Sequence, residues 1–523
     1  MYTLTIRYPD RTLKTEIKEG QTLLSALQSA GVHELDAPCG GNGKCGKCLA
    51  RVSGAVTPPG DAEKKKNPNY DSVRLACQTK AVGDCEVYLE ERSASVATHG
   101  NACDFPVDSW SEGNYGIAVD IGTTTVAAFL CELWTGNKVF IESGLNDQRS
   151  FGADVISRSS FAMETDGGLE KERAAIVSQL NGFARKLCAR AGIPVESVVR
   201  WSMVGNTIMQ HIFCGLSPAT IAVAPFRPLD LFGDFRSAAS LGLIGSDTAD
   251  VYIAPAVAGY VGGDITAGLL SKGVCTDRNP YLFLDIGTNG EIVLFDGERS
   301  YCAACAAGPA FEGAQIECGS GSIPGAICKV KYEDGNITVS TLNDAEPASI
   351  CGAGLLDLLS IMLDLGVVDE TGRFTDEDEC SPEALPYLDG SRFYPIPGGK
   401  VYVSDRDVRE IQLAKAAVAA GVKVLLQEAG MSVEQVQTLY LAGGFGSNLN
   451  SDSAMHIGLI PRELKGRVVT LGNAAGAGAC ACLISQTARE MLSDLEFSYI
   501  ELSVAPLFTG AFMEEMIFET GEN

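Results

Sequence analysis

Four cysteines set the chemistry of the first part of this chain. Cys39, Cys45 and Cys48 lie in APCGGNGKCGKC, and Cys77 follows in RLACQTK, giving the pattern C-x5-C-x2-C-x28-C. Four thiolates are the ligand set of a [2Fe–2S] cluster, two per iron. Gly40, Gly41, Gly43 and Gly46 let the loop wrap a cluster, because glycine takes positive φ without steric cost. Zinc is the rival for four cysteines, but it usually takes two C-x2-C pairs, and Cys77 has no near neighbour in sequence. Residues 41–46 also match G-x-G-x-x-G. They do not end a strand and open a helix, so a dinucleotide reading fails.

A second set of residues places carboxylates at strand ends. YGIAVDIGTTTVAAFLCEL, from Tyr115, reads as a strand, a tight turn and a second strand. Asp120 ends the first strand, and Gly122, Thr123 and Thr124 form the turn. The arrangement recurs in YLFLDIGTNGEIVLF, with Asp285 before Gly287, Thr288 and Asn289. A carboxylate there can hold Mg²⁺ directly or through water, and the turn amides and hydroxyls can hold phosphate oxygens. Two such units, about 165 residues apart, suggest a duplicated fold. LYLAGGFGSN adds a strand that runs into Gly443, Gly444 and Gly446, where a flat group can lie against the backbone. Asp264, in PAVAGYVGGD, and Glu312, in GPAFEGAQIECGSGSIPGA, are further candidates for positioning water or metal. With Asp120 and Asp285 they form the catalytic set. No G-x-x-x-x-G-K-[ST] occurs, which argues against P-loop chemistry.

Other polar residues read as structural. His211, in MVGNTIMQH, is a core or helix-surface histidine. Cys302 and Cys305 fall in a small-residue, strand-like run and read as packing. Cys480 and Cys482, in GNAAGAGACAC, read as close helix packing.

The elements that carry these sites follow from patterning. Thr3–Tyr8 and Leu13–Ile17 alternate apolar and polar residues around a Pro9–Asp10 turn, a β-hairpin. Thr22 caps a short helix, LLSALQSA, ended by Gly31. The cysteine loop follows, then strands around Leu49–Val52 and Cys85–Leu89. Residues 93–114 are polar, small and aperiodic, as expected of a flexible interdomain linker. A long helix is expected over Ser404–Ala429, before the LAGGFG strand.

Composition narrows the classes. The chain has 523 residues, 46 % apolar and 20 % charged, so several domains are expected. The net charge of −26 argues against nucleic acid, whose phosphates it would repel. The excess lies downstream of the roughly neutral first 92 residues. No apolar run reaches the ~20 residues of a membrane span, and the N-terminus lacks a signal-peptide core. Eighteen cysteines without an export signal predict a reducing cytoplasm.

Residues 1–92 resemble the β-grasp [2Fe–2S] ferredoxins, and the C-x5-C-x2-C spacing is similar to the adrenodoxin-like branch. From 115 onward, the two Asp-x-Gly-Thr turns and LAGGFG resemble the two phosphate motifs and the adenosine motif of the acetate and sugar kinase, Hsp70 and actin superfamily. The order ferredoxin, linker, DIGTTTVA, GNTIMQH, DIGTNGEI and LAGGFG resembles the reductive activators of corrinoid proteins.

That resemblance implies an α+β multidomain fold. A β-grasp ferredoxin domain (1–92) and a flexible linker (93–114) precede two ribonuclease-H-like lobes, a middle region (115–275) and a C-terminal region with the nucleotide site (276–523). It implies ATP with Mg²⁺ in the cleft and a corrinoid protein as partner. The electron would come from a low-potential donor such as a ferredoxin or flavodoxin, and related activators suggest a homodimer. No D-x-H-x-x-G occurs, so the corrinoid must come on the partner. The implied reaction is one-electron reduction of inactive Co(II) to Co(I) in a methyltransferase system. A plant-type cluster sits near about −400 mV and the cobalt couple is more negative. Each ~59 mV uphill costs a factor of ten, which gives ATP a role. Two alternatives are an ATP-gated donor to another low-potential acceptor and a small-molecule kinase carrying a ferredoxin domain.

Overall fold

The computed structural model describes all residues except 9–10, 33–34, 36, 38–40, 42, 44–45, 47, 68, 71–72, 90–104, 444–448 and 519–523. The Pro9–Asp10 turn, Cys39, Cys45, Gly444 and Gly446 therefore lie outside the described residues.

The N-terminal sheet contains β1 (Tyr2–Arg7), β2 (Thr12–Ile17), β3 (Leu49–Val56), β4 (Arg74–Leu75) and β5 (Ala81–Tyr88), in the order β2-β1-β5-β3-β4. Parallel pairing of β1 with β5 between antiparallel neighbours is the β-grasp arrangement. Helix α1 (Leu23–Ser29) begins at Thr22, whose side chain accepts from the Ser25 N–H. Leu23, Leu24 and Leu27 of α1 meet Leu4, Ile6 and Val87 in one core. The polar segment after β3 contains a short helix, α2 (Asp61–Lys66), which its charge pattern suits: acids in the first turn, lysines in the last.

Two further sheets repeat one plan. The first lobe has β6 (Tyr115–Ile121), β7 (Thr125–Glu132), β8 (Lys138–Leu145), β9 (Val198–Gly205), β10 (Phe235–Ser237) and β11 (Asp250–Ile253), ordered β10-β11-β9-β6-β7-β8. The second has β12 (Tyr281–Ile286), β13 (Gly290–Phe295), β14 (Ser300–Cys305), β20 (Thr438–Ala442), β21 (Val468–Gly472) and β22 (Phe497–Tyr499), ordered β21-β20-β12-β13-β14-β22. Smaller sheets join β15 (Ala326–Glu333), β16 (Asn336–Thr341) and β17 (Ser349–Ile350), and pair β18 (Arg392–Phe393) with β19 (Val403–Ser404). In each lobe a three-strand antiparallel meander begins with the aspartate-bearing strand, which then pairs in parallel with the strand after a long helix. This is the ribonuclease-H-like plan, present twice.

Each six-stranded sheet is covered on both faces. Ile117 and Val119 of β6 share a core with Val155 of α3 (Val155–Glu164) and pack on α4 (Gly168–Ala191) and α5 (Thr207–Cys214). Leu282 and Leu284 of β12 pack on α7 (Gly352–Asp364) and α8 (Asp405–Glu428). Ser404 and Asp407 form a capping box that starts α8. The opposite faces are covered by exchange. Helix α6 (Gly263–Gly268) follows β11 of the first lobe, yet Ile265 packs on Phe283 and Val293 of the second. Helix α9 (Ala474–Ile484) follows β21 of the second lobe, yet Ala475, Ala479 and Cys480 pack on Ala118, Phe129 and Cys131 of the first. The two helices touch so closely that a Cβ on Gly478 would lie 1.9 Å from the Ala267 carbonyl oxygen.

The expected flexible linker needs correction over residues 105–114. The Asp108 N–H donates to the Ile484 carbonyl at the end of α9 (2.8 Å). Its carboxylate accepts from the Gln486 N–H (2.7 Å) and Arg489 Nη2 (2.8 Å). Phe105 and Trp110 pack against the α9 cluster. An acceptor at a helix boundary and two aromatic rings fix this part of a segment that its polar composition marked as loose; residues 93–104 lie outside the described residues.

Candidate functional site

The duplicated strands bring their aspartates to one cleft. Asp120 and Asp285 each stand one residue before the end of a central strand, β6 and β12. Asn473 caps α9, its Oδ1 accepting from the Gly476 N–H at 2.5 Å, while its Nδ2 donates to Asp120 Oδ2 at 2.9 Å. Asp264 opens α6, accepting from its Ile265 neighbour's N–H at 2.9 Å, and it feels the charges of Asp285 and Asp120. The exchanged helices thus each present a polar residue from their first turn or cap to the cleft floor.

Burial raises these acids, and neighbouring charges add to it for all but Asp120. Burial, then the charges of Asp285 and Asp120, push Asp264 up to about 8. Burial, then Asp120 and Glu312, push Asp285 up to about 7. Burial pushes Asp120 up to about 6 against the Asn473 hydrogen bond. Glu291, on β13, is pushed well above the carboxylate range by burial, Asp264 and Asp285. A floor of buried acids that resist ionising is chemically short of a cation. Among the described residues no three of these side chains form a ready-made metal cage. Mg²⁺ keeps several waters and takes one or two carboxylates together with substrate phosphates, and the buried aspartates offer such carboxylates.

Glu312 joins the two turns: its Oε2 accepts from Thr124 Oγ1 (2.5 Å) and Thr288 Oγ1 (2.8 Å). Asn146 steadies the first turn by donating from Nδ2 to the Gly122 carbonyl (2.8 Å). Beneath Thr123 lies a buried arginine, Arg158, donating to the Thr123 carbonyl (2.5 Å) and the Gly152 carbonyl (3.0 Å). Gly443 has φ +90°, and a Cβ there would meet Asp285 Oδ1 at 2.6 Å, so only glycine admits the aspartate. The structure thus brings Asp120, Asp264, Asp285, Glu312 and the residues of both turns together.

Sequence reasoning missed Asn473, Glu291, Asn146 and Arg158. Asn473 before an alanine–glycine run carries a cap signal, but nothing nearby in sequence points to Asp120, 353 residues away.

The cysteine loop has features of a cluster cradle. The Cys48 thiol's hydrogen bond brings Cys77 down to about 6, against burial, with help from the Gln78 amide and the Gly43 N–H. Gly43 has φ +72°, and a Cβ there would meet Gln78 Nε2 at 2.6 Å. Two adjacent buried sulfurs with amide donors aimed at one of them match the donor set of an iron–sulfur site. The buried Glu63 carboxylate of α2 takes Arg74 Nε and the Leu75 N–H, both at 2.8 Å, and so fixes the strand that leads to Cys77.

The remaining candidates are structural. His211 is buried, with Nδ1 on the Thr207 carbonyl (2.8 Å) and Nε2 accepting from the Leu229 N–H (3.1 Å). Cys302, Cys305, Cys480 and Cys482 are all buried in the core.

Family models match in three consecutive stretches. They are a 2Fe–2S iron–sulfur cluster binding domain over residues 7–82, the RACo middle region over 115–277, and the C-terminal domain of RACo, the ASKHA domain, over 279–523. The chain is 33 % identical over 463 residues to the corrinoid activation enzyme RamQ of Eubacterium limosum, covering 84 % of this chain and 76 % of that protein. It is 24 % identical over 443 residues to the [Co(II) methylated amine-specific corrinoid protein] reductase of Methanosarcina barkeri, covering 78 % and 77 %. The solved structure of a reductive activator for corrinoid, iron–sulfur protein superposes with a TM-score of 0.71 at 28 % identity, over 99 % of this chain and 98 % of that one.

Proposed function

This chain belongs to the family of reductive corrinoid activators, and on that premise we propose that it restores Co(I) in a partner corrinoid protein. It passes one electron to Co(II), with ATP hydrolysed in the interlobe cleft. The observation that carries this reading is the joining, in one chain, of the Cys48–Cys77 sulfur pair with two facing Asp-x-Gly-Thr turns.

Cys39, Cys45, Cys48 and Cys77 would hold a [2Fe–2S] cluster, which when bound supplies a one-electron carrier. Gly43 and Gln78 donate toward the Cys77 sulfur, and hydrogen bonds to cluster sulfurs tune the potential. In the cleft, the amides of both turns with Thr123, Thr124, Thr288 and Asn289 would hold the phosphates, and Gly443, Gly444 and Gly446 would face the adenosine. Asp120, Asp264 and Asp285 would hold Mg²⁺ through water and orient the hydrolytic water. Nucleotide binding across both turns would draw the lobes together on α6 and α9. A population shift of this kind can favour the complex in which cobalt accepts the electron.

The electron arrives from a low-potential carrier such as a ferredoxin or flavodoxin, and the activator works as a homodimer in the cytoplasm. No described helix is long and apolar enough to cross a membrane. The charge of −26 disfavours nucleic acid.

The test is an anaerobic spectral titration of a Co(II) corrinoid protein with this protein and a low-potential reductant, with and without Mg-ATP. Co(I) is expected only with ATP, and not in Cys45→Ser. Hydrolysis of ATP without any change at cobalt, across several corrinoid proteins, would point to another acceptor.

A further inference from the structure

One carboxylate oxygen sits where the two phosphate turns meet. Thr124 of the first lobe and Thr288 of the second both donate to Glu312 Oε2, at 2.5 and 2.8 Å, and their hydroxyl oxygens are 3.5 Å apart. Each hydroxyl has a single proton to give, and both are spent on the same oxygen. The other oxygen, Oε1, lies over the second turn, 3.6 Å from where a Cβ on Gly287 would stand. An anionic oxygen that takes short, charge-assisted hydrogen bonds from both turns has the chemistry of a phosphoryl oxygen. The Glu312 charge also reaches the groups around the cleft, raising Asp285 and favouring the charged form of the buried Arg158 guanidinium.

We propose that Glu312 stands in for the terminal phosphoryl group of a nucleoside triphosphate, tying the two lobes together until a triphosphate displaces it. This rests on the nucleotide reading of the cleft given above. Two anions do not share these hydroxyls, since like charges at contact distance disfavour one another. A triphosphate must therefore turn the Glu312 side chain out of the cleft. A diphosphate, lacking the outer group, binds with Glu312 still seated. Ala310 and Phe311 anchor the turn Pro309–Glu312 in the second lobe's core, so the displacement is a side-chain rotation and not a loop rearrangement. Glu312 is then the residue that sets triphosphate against diphosphate, and its release reports to both lobes that ATP has arrived.

The experiment is calorimetric titration of the full-length protein with Mg-AMP-PNP and Mg-ADP, for the wild type, Glu312→Ala and Glu312→Gln. Glu312→Ala is expected to bind AMP-PNP about tenfold tighter, the scale of a hydrogen-bonded charge, with ADP moved less than about twofold. Glu312→Gln keeps the acceptor oxygen without the charge and should fall between. A second readout is amide exchange in residues 121–125 and 286–290 without nucleotide. It should quicken in both variants and slow again with AMP-PNP. AMP-PNP and ADP affinities that move together, a weaker AMP-PNP complex, or unchanged exchange would overturn the stand-in role while leaving the nucleotide site intact. A wild-type protein that binds neither ligand would instead overturn the nucleotide reading, and the proposal with it.

Discussion

Asp120, Asp264, Asp285 and Glu291 share a cleft floor in which Asn473 donates a hydrogen bond to Asp120. Their protons follow from that crowding. Each carboxyl has a folded pKa above its ordinary value, so between about pH 4 and about pH 8 the folded state binds more protons than the unfolded chain. Stability without a cation then falls as pH rises through that window, the reverse of an ion-paired aspartate. A divalent cation favours the ionised acids, so its binding releases protons and strengthens with pH. Thermal unfolding with and without Mg-ADP should therefore show a larger upward shift in Tm near pH 8 than near pH 6, spanning the values of Asp120, Asp285 and Asp264. Asp285→Asn should remove much of that difference. Equal shifts at both pH values would mean that the acids do not face the cation.

At the scale of elements, the molecule turns on α6 and α9, each rooted in one lobe and packed on the other. The carbonyl of Ala267 sits where a side chain on Gly478 would go, 1.9 Å from its Cβ. Gly478→Ala must push the helices apart, at about 1–3 kcal/mol for overpacking. It should lower the unfolding temperature of the two lobes and slow ATP hydrolysis, while the visible spectrum of the ferredoxin domain stays as it is. Loss of that spectrum would show that the domains do not fold independently. This helix exchange was not legible in the sequence. The strand–turn–strand units were, because period-two alternation ending in Asp-x-Gly-Thr is local and occurs twice. GNAAGAGACAC announced close packing, but small residues do not name the surface they pack on, and the partners Phe129 and Ala267 are hundreds of residues away. The cysteine pattern was legible for the same reason the turns were: its spacing carries the chemistry. Arg158 was not, since a single arginine in an amphipathic helix looks solvated until the fold buries it under Thr123.

At the scale of the whole molecule, the question is how an event between the lobes reaches the ferredoxin domain. Two contacts bear on it. Gln28 of α1 donates to the Ser150 carbonyl at 2.5 Å, in the turn that follows Asn146, which itself holds the Gly122 carbonyl. The domain thus rests one turn away from the first Asp-x-Gly-Thr turn. The other contact is at the root of the tether. Asp108 is bonded to the last carbonyl of α9 and to Arg489 just beyond it. Composition marked this segment as loose because its anchors are more than 370 residues distant. If α9 shifts as the lobes close, the point from which the ferredoxin domain hangs shifts with it. Asp108→Ala removes the carboxylate's bonds to Gln486 and Arg489 and so loosens that root without touching the cleft or the cysteines. ATP hydrolysis should stay within about twofold of the wild type, since partly exposed ion pairs contribute little on their own. Co(I) formed per ATP hydrolysed, followed at cobalt under anaerobic conditions, should fall. An unchanged ratio would make the anchored tether a passive spacer and leave the Gln28–Ser150 contact as the remaining route between nucleotide and cluster.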